Sequence, residues 1–309
     1  MTDISDTLPC PPKNKSYLPQ LSLLVGMNNP IRVLDEVKIL FFDMFDQGDF
    51  VAISSAFEDI TALFLGQLPG YKACDTPYHN LKHTTDVFLA MARLLHGAHV
   101  KGVALSENDV LLGLIAALMH DTGYIVKDTE NYSSGATLAP LHIDRSIQFL
   151  KHALPPQSCP PESVLYCEQL IWCTDLLKPI DTISFQSPIH EQIGKILAAA
   201  DLLAQTADRT YLEKLPLLYL EFKEAGTTPY NTEIELIQYA ILFNEQVNER
   251  LTNQLDSVNR YLLDHFRIRW NIDADLYQTA IDRSMVYLSS VLDADSEKYK
   301  DHFRRVIKS

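Results

Sequence analysis

Glycine is scarce in this chain, 11 among 309 residues, which argues against Gly-rich β and Rossmann architectures and toward helix. Alternating strand patterns, internal repeats and low-complexity tracts are missing as well. No apolar run approaches the length that crosses a bilayer, and the opening MTDISDTLPCPP lacks the basic and apolar regions of a secretory signal. Basic side chains are in deficit, 26 against 40 acidic, for a net charge of −14. An acidic surface repels phosphate backbones, so extended nucleic-acid binding is not expected. A small anionic substrate would need a local source of positive charge, and a bound cation is the obvious one. The five cysteines, Cys10, Cys74, Cys159, Cys167 and Cys173, are odd in number and form no C-x-x-C pair. Scattered reduced thiols are therefore expected rather than a disulfide framework or a zinc cluster. Together these absences predict a cytoplasmic protein with neither a membrane nor a nucleic acid as partner.

What is present is helical periodicity. Segment 31–45 places Val33, Leu34, Val37, Leu40, Phe41 and Met44 at helical spacing, and 51–68 continues in the same way. After a loop at 70–77 come a helix over 80–96 and a break between Gly97 and Gly102. Ser106 and Asp109 have the spacing of a capping box. They open 110–119, which is apolar on almost every side, as a central buried helix reads. Gly123 stands where helices commonly stop, and 127–140 reads as a polar loop. Further helices are predicted over 142–153, 162–176, 189–207, 209–225, 233–265 and 275–292. A Pro-rich stretch at 154–163 is a tight connection, and the polar segment up to Tyr17 is a loose arm. The predicted fold class is all-α, a compact multi-helix domain over 1–309, with the chemistry concentrated at about 71–225.

His79 and His83 are four residues apart, so on a helix they share a face, and Asp86 falls on the same side. His96, His99, His152, His190, His265 and His302 show no such pairing and are assigned to structure or solvent. His120 and Asp121 end an apolar helix, at the edge of the core, where a carboxylate must be paired or bound to a cation. A His–Asp hydrogen bond satisfies that requirement, and so does a divalent metal, for which imidazole with carboxylate is an ordinary ligand set. Asp201 lies between Ala198-Ala199-Ala200 and Leu202-Leu203. It reads either as the exposed face of an amphipathic helix or as a charge at a point where helices converge.

In their order, Tyr78-His-Asn-Leu-Lys-His-Thr-Thr-Asp-Val87, Ala116-Ala-Leu-Met-His-Asp121 and Ala199-Ala-Asp201 resemble the HD superfamily of metal-dependent phosphohydrolases. More narrowly they are similar to the class I cyclic nucleotide phosphodiesterases, and Cys173-Thr-Asp-Leu-Leu-Lys178 is a further echo through Asp175. The resemblance covers roughly 78–208. It implies that His83, His120, Asp121 and Asp201 bind a first metal, that Asp121 bridges to a second, and that His79 is the general acid protonating the leaving oxygen. The implied cofactors are two divalent ions (Zn, Mn, Mg or Fe), which acidify a bridging water and stabilise phosphoryl charge. The implied substrate is a nucleotide phosphoester, with a 3′,5′-cyclic nucleotide first in line. An HD-type nucleotidase or other phosphomonoesterase is the enzyme alternative, and a metal-bound sensing or interaction module the non-enzyme one. Asn80 either fixes the helix entry or hydrogen-bonds within the site, and a homodimer is among the assemblies considered.

The chain also departs from that family. Where the phosphodiesterases read H-D-x-D-H, it reads His120-Asp-Thr-Gly-Tyr124, so Tyr124 replaces a site histidine and Gly123 an acid. The Leu-Glu-x-x-His pattern appears as Leu138-Ala-Pro-Leu-His142, with Ala139 in place of the glutamate. His142 is still expected to face the site, and Ser146 fits the His-x-x-x-Ser pattern of broader HD proteins. Gln278 is the positional counterpart of the purine-gripping glutamine, or else a solvated helix residue. Tyr277, Met285 and Tyr287 beside it read as core.

Overall fold

The computed structural model describes residues 18–154, 160–295, 298–305 and 307. The predicted arm before residue 18, and 155–159 of the Pro-rich connection, lie outside them. Among the described residues the chain is all-α, as expected. The helices are α1 (Leu21–Leu24), α2 (Pro30–Met44), α3 (Val51–Phe64), α4 (Leu81–Val100), α5 (Glu107–Met119), α6 (His142–Ala153) and α7 (Pro161–Trp172), followed by α8 (Pro188–Thr206), α9 (Tyr211–Glu224), α10 (Glu233–Asn253), α11 (Tyr261–Trp270), α12 (Leu276–Asp295) and α13 (Tyr299–His302). The β-structure among these residues is an isolated antiparallel bridge between Tyr71 and Lys127. No described helix is long and apolar enough to cross a membrane.

The axis of the molecule is α4. It is buried continuously from His83 to Ala98 and packs against α2, α5, α8 and α11. Phe88, Leu89, Leu94 and Leu95 are wholly enclosed, and each such side chain contributes about 1.5–3 kcal/mol of burial. Tertiary packing therefore holds this helix more than intrinsic propensity does. Asn80 is its N-cap, with Oδ1 accepting from the His83 N–H at 3.2 Å, so the helix-entry reading of Asn80 is the one seen. The Ser106–Asp109 capping box opens α5, each side chain accepting from the other's backbone N–H at 3.1 Å.

Four local expectations are corrected. Gly97 does not break a helix: α4 runs through it, because a Cβ there would stand 1.9 Å from the Tyr261 carbonyl oxygen of α11. Gly123 is not a helix stop either. It sits in a 3₁₀ turn (Thr122–Tyr124) and a Cβ would meet the His142 oxygen at 1.9 Å. The helix predicted over 162–176 ends at Trp172. The one predicted over 233–265 is split into α10 and α11 where Asp256 and Ser257 take left-handed φ of 50° and 55°.

Candidate metal centre

Three helices deliver the chemistry to one point. His83 lies in the first turn of α4, His120 caps the C-terminus of α5 with Asp121 following, and Asp201 projects from α8. The His83 Nε2 atom is 3.4 Å from Asp121 Oδ2 and 3.2 Å from Asp201 Oδ1. The His120 Nε2 atom is 3.2 Å and 3.8 Å from the same two oxygens. Ligand atoms of His83, His120 and Asp121 all lie within 4.8 Å of one another, and these three residues are buried. Donors about 2.1 Å from a common ion stand roughly 3.0–3.5 Å apart in octahedral or tetrahedral arrangements, so most of the observed separations are those of a coordination shell.

The donors are prepared for a cation. His120 Nδ1 is 2.8 Å from the Ala117 carbonyl oxygen. A carbonyl only accepts, so Nδ1 carries the proton and Nε2 faces the carboxylates. Yet His120 Nε2 and Asp121 Oδ2, both buried, have no hydrogen-bond partner despite their 3.2 Å approach. Unsatisfied buried groups cost about 1–3 kcal/mol each, and a divalent ion between them satisfies both. Without one, a proton on the imidazoles balances part of the carboxylate charge. Burial alone would lower the His120 pKa, but the charges of Asp121 and Asp201 carry it up to about 9. Burial pushes the Asp121 carboxyl the other way, and the imidazoles of His120, His79 and His83 outweigh it and hold that carboxyl well below the usual range.

His79 is not on the helix with His83, contrary to the expectation from their spacing. It precedes the Asn80 cap and is held from α9. Glu221 Oε2 lies 2.6 Å from His79 Nδ1, while its Oε1 accepts from the Tyr78 N–H at 2.5 Å and the His79 N–H at 3.4 Å. Burial lowers the His79 pKa, and the charge and hydrogen bond of Glu221 together with the charges of Asp121 and Asp201 outweigh it, so the net shift is upward. Glu221 was not found from the sequence. The signal was present, since a lone acid interrupts Leu217-Leu-Tyr-Leu220 and Phe222 as Asp201 interrupts its own apolar helix.

Tyr124 is in the site. Its ring stacks on His79 at 4.5 Å and on His142 at 4.7 Å. His142 gives its Nδ1 proton to the Ala139 carbonyl at 2.6 Å and turns Nε2 toward Asp121 Oδ1, 4.0 Å away. Burial lowers its pKa, with Asp121 only partly offsetting, so a neutral imidazole is favoured. Ser146 and Arg145, consecutive on α6, pin the Thr122–Tyr124 turn through Gly123: its N–H donates to Ser146 Oγ at 2.8 Å and its carbonyl accepts from Arg145 Nε at 2.8 Å.

Asp86, Asp175 and Gln278 are engaged elsewhere. Asp86 is ion-paired with Lys82. Asp175 Oδ1 accepts from the Leu177 N–H at 2.8 Å, closing the turn after α7. Gln278 donates to Asp282 Oδ1 one helical turn on, at 2.8 Å.

The sequence model of the Npun_R2479-like family matches residues 47–129 and 126–263, segments that between them contain every residue of the cluster. No curated protein matches the chain.

Proposed function

We propose that this chain, which belongs to the Npun_R2479-like family, is a divalent-metal-dependent phosphohydrolase of the HD type, with a 3′,5′-cyclic nucleotide as its first substrate class. The observation that carries the reading is the buried group of His83, His120 and Asp121, with Asp201 facing both imidazoles and two of the buried atoms unsatisfied. These residues would hold the ion. When bound, a divalent cation supplies Lewis-acid stabilisation of phosphoryl charge and a water acidified toward neutral pH. In a chain of net charge −14 it also supplies the local positive charge an anionic substrate needs. His142, whose Nε2 faces Asp121 Oδ1 at 4.0 Å, would be a further residue available to a second ion.

The remaining chemistry belongs to the chain. His79, fixed at Nδ1 by Glu221, keeps its other ring nitrogen for the leaving oxygen. Its raised pKa favours the protonated form a general acid requires. Tyr124 and His142 form the wall beside it. The proposal carries a cytoplasmic location with it.

The test is metal analysis of the purified protein, followed by a screen of cyclic AMP, cyclic GMP and linear phosphomonoesters with added Mn or Mg. A co-purifying transition metal and opening of a cyclic phosphodiester are expected. Cleavage of linear monoesters with cyclic nucleotides left intact would transfer the site to an HD-type nucleotidase. If no metal is retained and nothing is turned over, the enzyme reading fails and a sensing or interaction module takes its place.

A further inference from the structure

A second site lies beside the first. A cavity of about 320 Å³ opens next to the Thr122–Tyr124 turn, and none of the metal-centre donors lines it. Its walls include Tyr71, Phe149, Lys127, Arg145 and His152, with Thr122 and Gly123 of the turn behind them. Lys127 and His152 are exposed at its rim. Tyr71 and Phe149 form an edge-to-face ring pair, centroids 5.7 Å apart, on its apolar side. Two cationic side chains and an imidazole around one cavity run against the character of a chain with 40 acidic residues to 26 basic.

An internal carboxylate shows how that charge is used. Glu130 sits on the Arg145 guanidinium in two-point fashion, Oε1 at 2.7 Å from Nη1 and Oε2 at 2.9 Å from Nη2, and Oε2 also accepts from the Lys127 N–H at 2.9 Å. Arg145 Nε and its other Nη2 hydrogen go to the Gly123 and Ile125 carbonyls, so the guanidinium is held in place whether or not Glu130 stays. The side chains of the pair are 15% and 22% exposed, so solvent reaches the contact and partly screens it. A phosphate-like group offers the same guanidinium more charge and more acceptor oxygens than a carboxylate does.

We propose that this cavity is an accessory binding site for a small organic anion, a phosphate- or phosphonate-type group carried on a planar apolar body. Arg145 and the Lys127 backbone and side chain take the anion, and Tyr71 with Phe149 takes the body. Glu130, which does not itself line the cavity, is the built-in competitor for the same guanidinium. The site is independent of the phosphohydrolase reading, because it uses none of the metal donors.

The test is equilibrium titration of the full chain with phenylphosphonate, whose carbon–phosphorus bond hydrolysis leaves intact, and with inorganic phosphate. Phenylphosphonate should bind more tightly than phosphate, since only it reaches the rings. Lys127→Glu should weaken phenylphosphonate by about tenfold or more through charge reversal. Glu130→Gln should strengthen it by roughly twofold to fivefold, through loss of the competing charge on the guanidinium. Asp201→Asn should leave it unchanged. Opposite shifts in the two rim variants support the proposal. Failure of both probes to bind, equal affinity in Lys127→Glu and the natural chain, weakening in Glu130→Gln, or loss in Asp201→Asn (which would put the anion at the metal centre) each overturns it.

Discussion

At one end of α4, His83 lies against Asp121 and Asp201, and at the other His96 lies against His265 of α11, their Nδ1 atoms 3.3 Å apart. Both ends are buried. Beside His96 and His265 stands Arg93, fully enclosed between the rings of Phe266 and Tyr277 at 5.7 and 5.6 Å and donating to Tyr277 Oη at 3.0 Å. Among the described residues neither His96 nor His265 is ion-paired with a carboxylate, and the charge of Asp43 offsets the burial of His96 only in part. Burial lowers the His96 pKa to about 4, and His265 falls well below the ordinary value through burial and the charge of Arg93. At the first end equal or deeper burial loses to the carboxylates, and His120 rises to about 9. One helix thus carries an end where buried imidazoles resist a further proton and an end where carboxylates favour a cationic partner.

The strongest way to break this comparison is to remove the carboxylates. Asp121→Asn and Asp201→Asn should each lower divalent-metal affinity by more than the ~10–100-fold typical of residues that merely support ligands. His96→Asn, at the other end, should leave affinity unchanged. Competition against a metal-buffering chelator measures all three, and equal losses at both ends would show that the metal set has been misassigned.

Glu221 sharpens the contrast, because it extends the carboxylate environment to His79. Glu221→Gln removes the charge that raises the His79 pKa and leaves a weaker contact at Nδ1. A drop in kcat of about 100-fold, within the range general acids contribute, is expected with KM little changed. An equal fall in kcat for a substrate whose leaving group needs no proton would assign Glu221 to structure alone.

The two ends should also respond oppositely to pH in metal-free protein. The unfolded chain protonates His96 near 6.5, whereas the folded chain does so only at about 4. Stability is therefore lost as pH falls through that window, by about 3 kcal/mol for His96 alone. His120 has the reverse sign. Its contribution is present below 6.5 and fades as pH rises through about 9, and metal loading should abolish that alkaline loss by taking the proton's place. Urea unfolding at a series of pH values, with and without Mn, separates the two.

The same physics decides what the sequence disclosed. His120, Asp121 and Asp201 stood out because each places an ionisable group against apolar helix, where burial is costly, but each alone left a structural alternative open and only their order with His83 pointed to a metal. Glu221 carried the same mark but had no motif to draw attention to it. Gly97 and Gly123 were misread as punctuation because the carbonyls that forbid a Cβ there, of Tyr261 and His142, come from other elements. The split at Asp256 and Ser257 had no glycine or proline to announce it. The stacking of Tyr124 between His79 and His142 depends on a turn pinned from α6, which local pattern does not record.

The smallest expected effect concerns how the metal end of α4 is secured. Its far end closes through the backbone, Lys101 N–H to the Gly97 carbonyl at 3.0 Å, whereas the metal end depends on Asn80. That side chain accepts from the His83 N–H at 3.2 Å and donates through Nδ2 to the Pro77 carbonyl at 2.8 Å. Asn80→Ala removes both bonds and should cost about 1 kcal/mol, while Asn80→Asp keeps the cap acceptor and should cost only a few tenths. Urea unfolding of the metal-free protein distinguishes them. If the two variants lose equal stability, the tie to Pro77, rather than the cap over His83, is what holds the His83 end of the helix in register.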